Sequence, residues 1–330
     1  MSSREVPDGL IGCNSWVAVF NFINWILQLS VWYFCFFQSR ISNFTTVGWR
    51  AFWGRHQLVY GVNQKGLDAV NDDEKYLFDL AGYLVLRQVL KPEDVARCNE
   101  AIDCHQEQLV PHERRFEGES KALTSPIRQL WLEGMMAWER PYCEPFRELL
   151  VQPKIQPYLS EILGGGYRLD HEPSLVAMEK GCAGHYMHGG GVERLDFSQT
   201  YMYKQGRIFC GMTVVEFMLA DEGPGDGGLA IVPGGHKTNF PLPQGLHHYE
   251  EYQDYVKEIH CKAGDAVIFS EATTHGTLKW QAEHQRRTLI YRYSPRFQAL
   301  ARGFHADMSY PAYVEDMTGE QRQLMRPPGG

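Results

Sequence analysis

The sequence predicts a mainly β fold, a cupin-like jelly roll (double-stranded β-helix), with flanking helices and an apolar helix in front of it. Three observations carry this expectation. From Tyr167 onward, short runs rich in β-branched and aromatic residues alternate with Gly and Pro turns. No long helical period separates them, which favours a barrel or two packed sheets over alternating parallel units. Two histidines, His188 and His275, fall at the ends of such runs directly beside glycines, where a backbone without Cβ admits a ligand closely.

The first segment, residues 1–40, is apolar. No charged residue occurs from Gly9 to Ser39, the stretch Trp16–Phe37 is dominated by large hydrophobics, and Arg40 closes it. A helix of that length, at about 1.5 Å per residue, reaches across a hydrocarbon core of roughly 30 Å. Asn14, Asn21, Asn24 and Gln28 share one helical face, which suits a spanning helix with one partnered stripe or a helix lying in the interface. Arg40, Arg50 and Arg55 follow the segment while only Arg4 precedes it. The positive-inside bias therefore expects a membrane-associated chain with its bulk facing the cytosol. A helix packed on the folded domain is the alternative. The opening MSSREVPD is a poor secretory signal.

Residues 41–75 read as a connecting region, 76–296 as the folded domain, and 297–330 as an extension. Within the domain, the apolar run Leu77–Val89 ends at Lys91-Pro92, and Pro92-Glu93-Asp94 starts a helix carrying Val95, Cys98 and Ile102 at helical spacing. Further helices are expected over Leu130–Leu150, broken near Pro141, and over Pro153–Leu163, stopped by Gly164-Gly165-Gly166. Strands are expected at Ile208–Leu219, Leu229–Val232, within His260–Thr273 on either side of Gly264-Asp265, and at Thr288–Tyr293. Turns fall at Glu222–Gly228 and at Pro233-Gly-Gly-His236.

Composition excludes several classes. The 330 residues hold 32 Lys and Arg against 40 Asp and Glu, a net charge of -8, which is opposite to the basic footprint of a nucleic-acid binder. With 44% hydrophobic and 22% charged residues the chain is not disordered. Eight cysteines lack a CxxC pair, which rules out a zinc ribbon and points to free thiols in a reducing intracellular compartment. The C-terminal Pro-Pro-Gly-Gly carries no lipidation motif.

His188 opens His188-Gly189-Gly190-Gly191; His275 follows the apolar run Ala266–Ser270 and precedes Gly276; Arg286-Arg287 begins the next strand. Two neutral imidazoles on separate strands of a jelly roll make a pincer for a divalent metal, and open positions opposite them suit Fe(II). A guanidinium deeper inside offers the two-pronged donor that a dicarboxylate requires. The remaining candidates have plainer readings. Asp226 and Asp265 lie in turns, where Asp bonds its own backbone. His236 lies near the pocket or stabilises its turn, while Tyr201, Tyr203 and Lys204 read as strand residues and His247-His248 as surface.

Residues 75–296 resemble the phytanoyl-CoA dioxygenase (PhyH) family of Fe(II)/2-oxoglutarate oxygenases. The resemblance rests on Phe78-Asp-Leu-Ala-Gly-Tyr-Leu-Val-Leu before the Pro92 helix, on Gly225-Asp-Gly-Gly-Leu-Ala-Ile-Val-Pro-Gly-Gly-His-Lys237, and on Ala263-Gly-Asp-Ala-Val-Ile-Phe-Ser-Glu-Ala-Thr-Thr-His-Gly276 followed by Arg286. It implies iron held by a His-x-Asp pair and a distal His, with an Arg binding 2-oxoglutarate. Carried over, His275 is the distal ligand and Arg286 the co-substrate Arg, with Arg287 as the alternative under a one-residue shift of register.

The chain departs from the family at the proximal motif, where His188-Gly189-Gly190 stands in place of His-x-Asp. Glu193 or Asp196 swings back to supply the carboxylate, or Gly190 leaves a vacancy for chloride as in related halogenases, or the site is decayed. The expected function is an oxygenase using Fe(II), 2-oxoglutarate and O2 to hydroxylate an aliphatic carbon of a small or lipid-like substrate. A halogenase with bound chloride and a non-catalytic, membrane-tethered protein are the alternatives.

Overall fold

A computed structural model describes residues 70–190, 196–300 and 311–329 of the chain. The chain divides into two units, Met1–Gln57 and Leu58–Gly330, and every described residue belongs to the second. The expected apolar N-terminal helix lies outside the described residues. Among the described residues no helix is long and apolar enough to cross a membrane.

Asn71 starts the first helix, α1 (Asp72–Ala81), with a reciprocal cap: its Oδ1 accepts from the Glu74 amide at 2.9 Å and the Glu74 carboxylate accepts from the Asn71 amide at 3.1 Å. Gly82, in the left-handed region, ends it and leads into β1 (Tyr83–Leu86). Pro92 opens α2 (Pro92–Asp103) as expected, burying Val95, Cys98, Ala101 and Ile102. The region Leu130–Leu150, expected to be helical, is strand first. A short β2 (Val110–Pro111) pairs with β3 (Leu130–Leu132), and the helix α3 begins only at Glu144 and runs to Leu150. Pairing of β3 with a long neighbour overrides its local preference. Helix α4 (Gln156–Leu163) stops at Gly164.

From there the chain is antiparallel sheet: β4 (Arg168–Met178), β5 (His185–His188), β6 (Tyr201–Lys204), β7 (Arg207–Cys210), β8 (Thr213–Met218), β9 (Gly228–Ile231), β10 (Lys257–Glu258), β11 (Ala266–Ser270), β12 (His275–Leu278) and β13 (Arg286–Ser294), with a one-turn helix, α5 (Gln244–His247), between β9 and β10. The expected single strand Ile208–Leu219 is two strands in different sheets. The chain bends at Gly211, where a Cβ would lie 1.7 Å from the Phe197 carbonyl oxygen, so only glycine passes.

Seven strands form one sheet in the order β1-β11-β8-β13-β4-β3-β2, four form a second, β10-β9-β12-β5, and β6-β7 stand as a separate hairpin. Alternation along each strand divides the core in two. Val215 and Phe217 of β8, Ile268 of β11, and Leu289, Tyr291 and Tyr293 of β13 point outward under α2, α3 and α4. Val214 and Met218 of β8, Val267 and Phe269 of β11, and Ile290 of β13 point inward, where they meet Leu229 and Ile231 of the four-stranded sheet. The chain is thus mainly β with packed helices and antiparallel sheets, consistent with a cupin-like fold. The C-terminal residues belong to this body. Val314, Met317, Leu324 and Met325 join the outer core, and α6 (Gly319–Leu324) is anchored where the Gln321 amide donates to the Arg147 carbonyl at 2.9 Å.

Turn readings of the acids agree with the structure. Asp226 accepts from the Gly223 amide at 2.7 Å, and Asp265 accepts from the amides of Gln88 and Lys262, each at 2.8 Å, and from Arg87 at 2.6 Å. His236 bonds the Asp79 carbonyl at 2.9 Å and meets the Tyr201 ring edge-on at 4.4 Å. It fastens a turn to α1. His247 is not a plain surface residue: its Nδ1 lies 2.7 Å from the Met187 carbonyl oxygen, bracing β5.

Candidate metal centre

The two sheets bring the two candidate histidines face to face. β12 lies between β9 and β5, so His275 pairs in register with Ile231 on one side and His188 on the other. The imidazole centroids of His188 and His275 are 4.1 Å apart. A bulge in the β5–β12 ladder shifts the register between His275 and Thr277. It brings His185 to the same inner face, 4.4 Å from the His188 ring.

Each imidazole is aimed by its own backbone. His188 Nδ1 lies 3.1 Å from the Tyr186 carbonyl oxygen and His275 Nδ1 lies 2.7 Å from the Thr273 carbonyl oxygen. Donation from Nδ1 assigns the tautomer and leaves Nε2 with its lone pair toward the cavity. Burial, reinforced by the neighbouring His275 charge, lowers the His188 pKa to about 3, and burial lowers that of His275 to about 4. Both rings are therefore neutral at physiological pH, the form in which an imidazole binds metal.

The carboxylate comes from a place the sequence reading did not search. His188, Glu271 and His275 each offer a ligand atom, and the three atoms lie within 4.8 Å of one another. Glu271 follows β11 directly and precedes His275 by one tight turn, in which the Thr273 amide donates to the Ser270 carbonyl at 2.8 Å. The signal was present in the sequence as an acid closing an apolar strand just ahead of the distal His. Of the two carboxylates expected from the sequence, Asp196 is not in this group. Asp196 is exposed and caps its own turn, accepting from the Ser198 amide at 2.8 Å and hydroxyl at 2.5 Å. Glu193 lies outside the described residues. Two imidazoles and one carboxylate with open positions opposite form the donor set of non-haem iron sites, so the residues present fit such an ion.

Gly190 is not an emptied ligand position. It adopts φ +65°, and a Cβ there would meet Thr274 Oγ1 at 2.8 Å, the Gly235 carbonyl oxygen at 2.9 Å and Thr238 Oγ1 at 3.1 Å. Those atoms wall off the turn beside His275 and do not line the metal cavity. Gly190→Asp is therefore expected to destabilise the fold by about 2 kcal/mol or more through strain and overpacking, with no gain in metal affinity. Thermal unfolding and an Fe(II) titration of the variant check this.

The cavity around these ligands has a volume of about 260 Å³ and is lined by Trp131, Val176, Val214, Leu229, Phe269 and Ile290 as well as by charged groups. A larger cavity of about 600 Å³ lies around the β6–β7 hairpin, but the metal-ligand group is not in it. In β13 the register decides between the two candidate arginines. Arg286 points inward and is buried. Its Nε lies 2.9 Å from Glu222 Oε1 and its Nη2 lies 3.5 Å from Glu216 Oε2, while among the described residues Nη1 has only the Met178 sulfur at 4.0 Å. Arg287 turns to the outer face, where it donates to Gln285 at 2.6 Å, Asn99 at 3.1 Å and Asp103 at 2.7 Å. The alternative assignment of Arg287 to co-substrate binding is thereby corrected. Burial raises the Glu216 pKa to about 7, against the opposing pull of Arg286.

Comparison with known proteins agrees with this fold. HygX from Streptomyces hygroscopicus, solved with nickel and 2-oxoglutarate bound, is 23% identical, with a TM-score of 0.57 over 76% of this chain and 100% of that one. The same protein with nickel, 2-oxoglutarate and hygromycin B bound is 22% identical, with a TM-score of 0.56 over 70% of this chain and 89% of that one. SnoK, a non-haem α-ketoglutarate-dependent carbocyclase from nogalamycin biosynthesis, is 13% identical, with a TM-score of 0.51 over 76% of this chain and 95% of that one. At these identities the likeness is one of fold. The search of curated proteins found no match. The sequence model of the phytanoyl-CoA dioxygenase (PhyH) family matches residues 78–288, a span that contains His188, Glu271, His275 and Arg286. More than half the chain is covered, and the protein belongs to the phytanoyl-CoA dioxygenase (PhyH) family.

Proposed function

We propose that the protein is an Fe(II)- and 2-oxoglutarate-dependent oxygenase that hydroxylates an aliphatic carbon of a small substrate. One observation carries the reading: Nε2-bearing imidazoles of His188 and His275 and the carboxylate of Glu271 converge within 4.8 Å in a cavity that also holds the Arg286 guanidinium. Iron and 2-oxoglutarate, when bound, supply the oxidising power with O2. His188, His275 and Glu271 would hold the ion, and their arrangement leaves adjacent positions open. Arg286 offers Nη1, the edge of its guanidinium not engaged by glutamate, to the far carboxylate of the co-substrate. Phe269, with its ring 4.7 Å from His275, and the apolar lining keep water from the reacting carbon and the ligand rings in place.

The same observation weighs against the two other readings. A site with its carboxylate supplied by Glu271 does not need a halide to complete it, and Gly190 has no room to have lost a ligand. A decayed site has no reason to keep three ligand atoms converged. The free thiols of Cys98, Cys143, Cys182, Cys210 and Cys261 support a reducing compartment.

Anaerobic optical titration with Fe(II) and 2-oxoglutarate tests the reading. The visible charge-transfer band of the chelate is expected in the native protein and is expected to vanish in His275→Ala. Absence of the band in the native protein defeats the proposal. Replacing chloride by bromide during turnover is expected to leave the product mass unchanged; a mass that follows the halide establishes the halogenase instead.

A further inference from the structure

Three arginines line the cavity, and they are not equivalent. Arg286 is balanced by Glu222 and Glu216. Arg114, at the rim, donates to the Tyr186 hydroxyl at 2.6 Å and lies over the Phe116 and Tyr186 rings. Arg292 also lines the cavity, yet its side chain makes no hydrogen bond or ion pair among the described residues. It is half-buried, so it has given up part of its hydration without a directional partner in return. A cation so placed beside a cavity is a standing receptor for an anion.

Its position is defined by register. β13 carries Arg286, Thr288, Ile290 and Arg292 on one face, and Arg292 pairs with Val214 of β8. The next residue of β8, Thr213, pairs with Ser270, which immediately precedes Glu271. Arg292 is therefore level with the metal ligands, whereas the Arg286 guanidinium lies beside Gly228 and Glu222, and Gly228 pairs with Leu278, three residues or roughly 10 Å along β12 from His275. A co-substrate extending from the ligands toward Arg286 leaves Arg292 for a different molecule.

We propose that Arg292 receives an anionic oxygen group of the primary substrate, so that the substrate is a small carboxylate, phosphate or sulfonate whose apolar or planar body rests against Phe116, Trp131 and Tyr186. This rests on the reading of the cavity as an iron and 2-oxoglutarate site. The rim supplies the body's contacts: Phe116 and Trp131 stack with centroids 5.4 Å apart, and the Tyr186 ring lies beside them. The guanidinium supplies two parallel donors for the oxyanion, which fix its orientation with respect to the ligand cluster.

The test uses matched probes: 3-phenylpropionate and phenyl phosphate as anions, 3-phenylpropanamide as the neutral control. Each is titrated calorimetrically into the full-length protein loaded anaerobically with Ni(II), with and without 2-oxoglutarate. Native protein, Arg292→Gln and Arg292→Lys are compared, with thermal unfolding as the check that each variant folds. The native protein is expected to bind the anions about tenfold or more tightly than the amide. Arg292→Gln is expected to lose that preference, Arg292→Lys to retain part of it, and the affinity for 2-oxoglutarate to change less than about twofold in either. An anion preference that survives in Arg292→Gln, or one that is absent from the native protein, overturns the proposal. So does an equal loss of 2-oxoglutarate affinity, which would make Arg292 a co-substrate anchor. Failure of 2-oxoglutarate to bind the native protein defeats the oxygenase reading separately, and the probe comparison without co-substrate still reports on Arg292.

Discussion

Glu271→Ala is expected to abolish the Fe(II)/2-oxoglutarate chelate and to lower co-substrate turnover by at least about 100-fold. Loss of an outer partner of a metal ligand costs roughly 10–100-fold, and Glu271 is placed as a ligand itself, its carboxylate within 4.8 Å of both imidazole donors. Its backbone is held independently of that role, because the Glu271 amide donates to the Met212 carbonyl at 3.0 Å. The variant is therefore expected to fold, and thermal unfolding distinguishes lost metal from lost structure. Asp196→Ala is the matched control. Asp196 caps a surface turn, so its removal is expected to leave metal affinity unchanged and to cost only about 1 kcal/mol in local stability. A full chelate band in Glu271→Ala, or its loss in Asp196→Ala, would reassign the third ligand.

The second large effect is a dependence on pH set by Glu216. In the folded protein burial raises this carboxyl from 4.5 to about 7. Above that pH it is ionised and competes for the Arg286 guanidinium, whose Nη2 it approaches to 3.5 Å. Binding of a dicarboxylate is then linked to uptake of one proton. Co-substrate affinity is expected to weaken as pH rises beyond 7, approaching tenfold per pH unit, and Glu216→Gln is expected to flatten that profile. Stability follows the same proton. Between 4.5 and about 7 the folded state retains a proton that the unfolded chain has released. The contribution is complete below 4.5 and is lost as pH rises through about 7. Glu216→Gln is thus expected to unfold at a higher temperature than the native protein at pH 8.5, with the gap closing toward pH 5.5. Isothermal titration and thermal unfolding across that range measure both. A flat profile in the native protein would show that Glu216 does not contest Arg286.

Part of the site is legible in the sequence alone. His188 and His275 are recognisable because glycine and a strand end sit beside each, and Arg286 because an arginine opens the next strand. The helix at Pro92 and the turns at Asp226 and Asp265 follow from local chemistry alone, since proline at a helix start and aspartate in a turn need no distant partner. Elements whose form depends on pairing were less legible. Leu130–Leu132 became a strand because β4 lies beside it, and Ile208–Leu219 broke in two because Phe197 crosses at Gly211. The choice between Arg286 and Arg287 needed the register of β13 against β8, since one residue exchanges the inner and outer faces.

The order of residues by itself determined which imidazoles were available and narrowed the guanidinium to Arg286 or Arg287, because strand ends and glycine turns are local events. Only the tertiary structure decided that Glu271 joins them, that Asp196 does not, and that Glu216 and Glu222 already lean on Arg286. The reason is that ligand atoms meet across ladders and between sheets, where distance along the chain carries little information about distance in space.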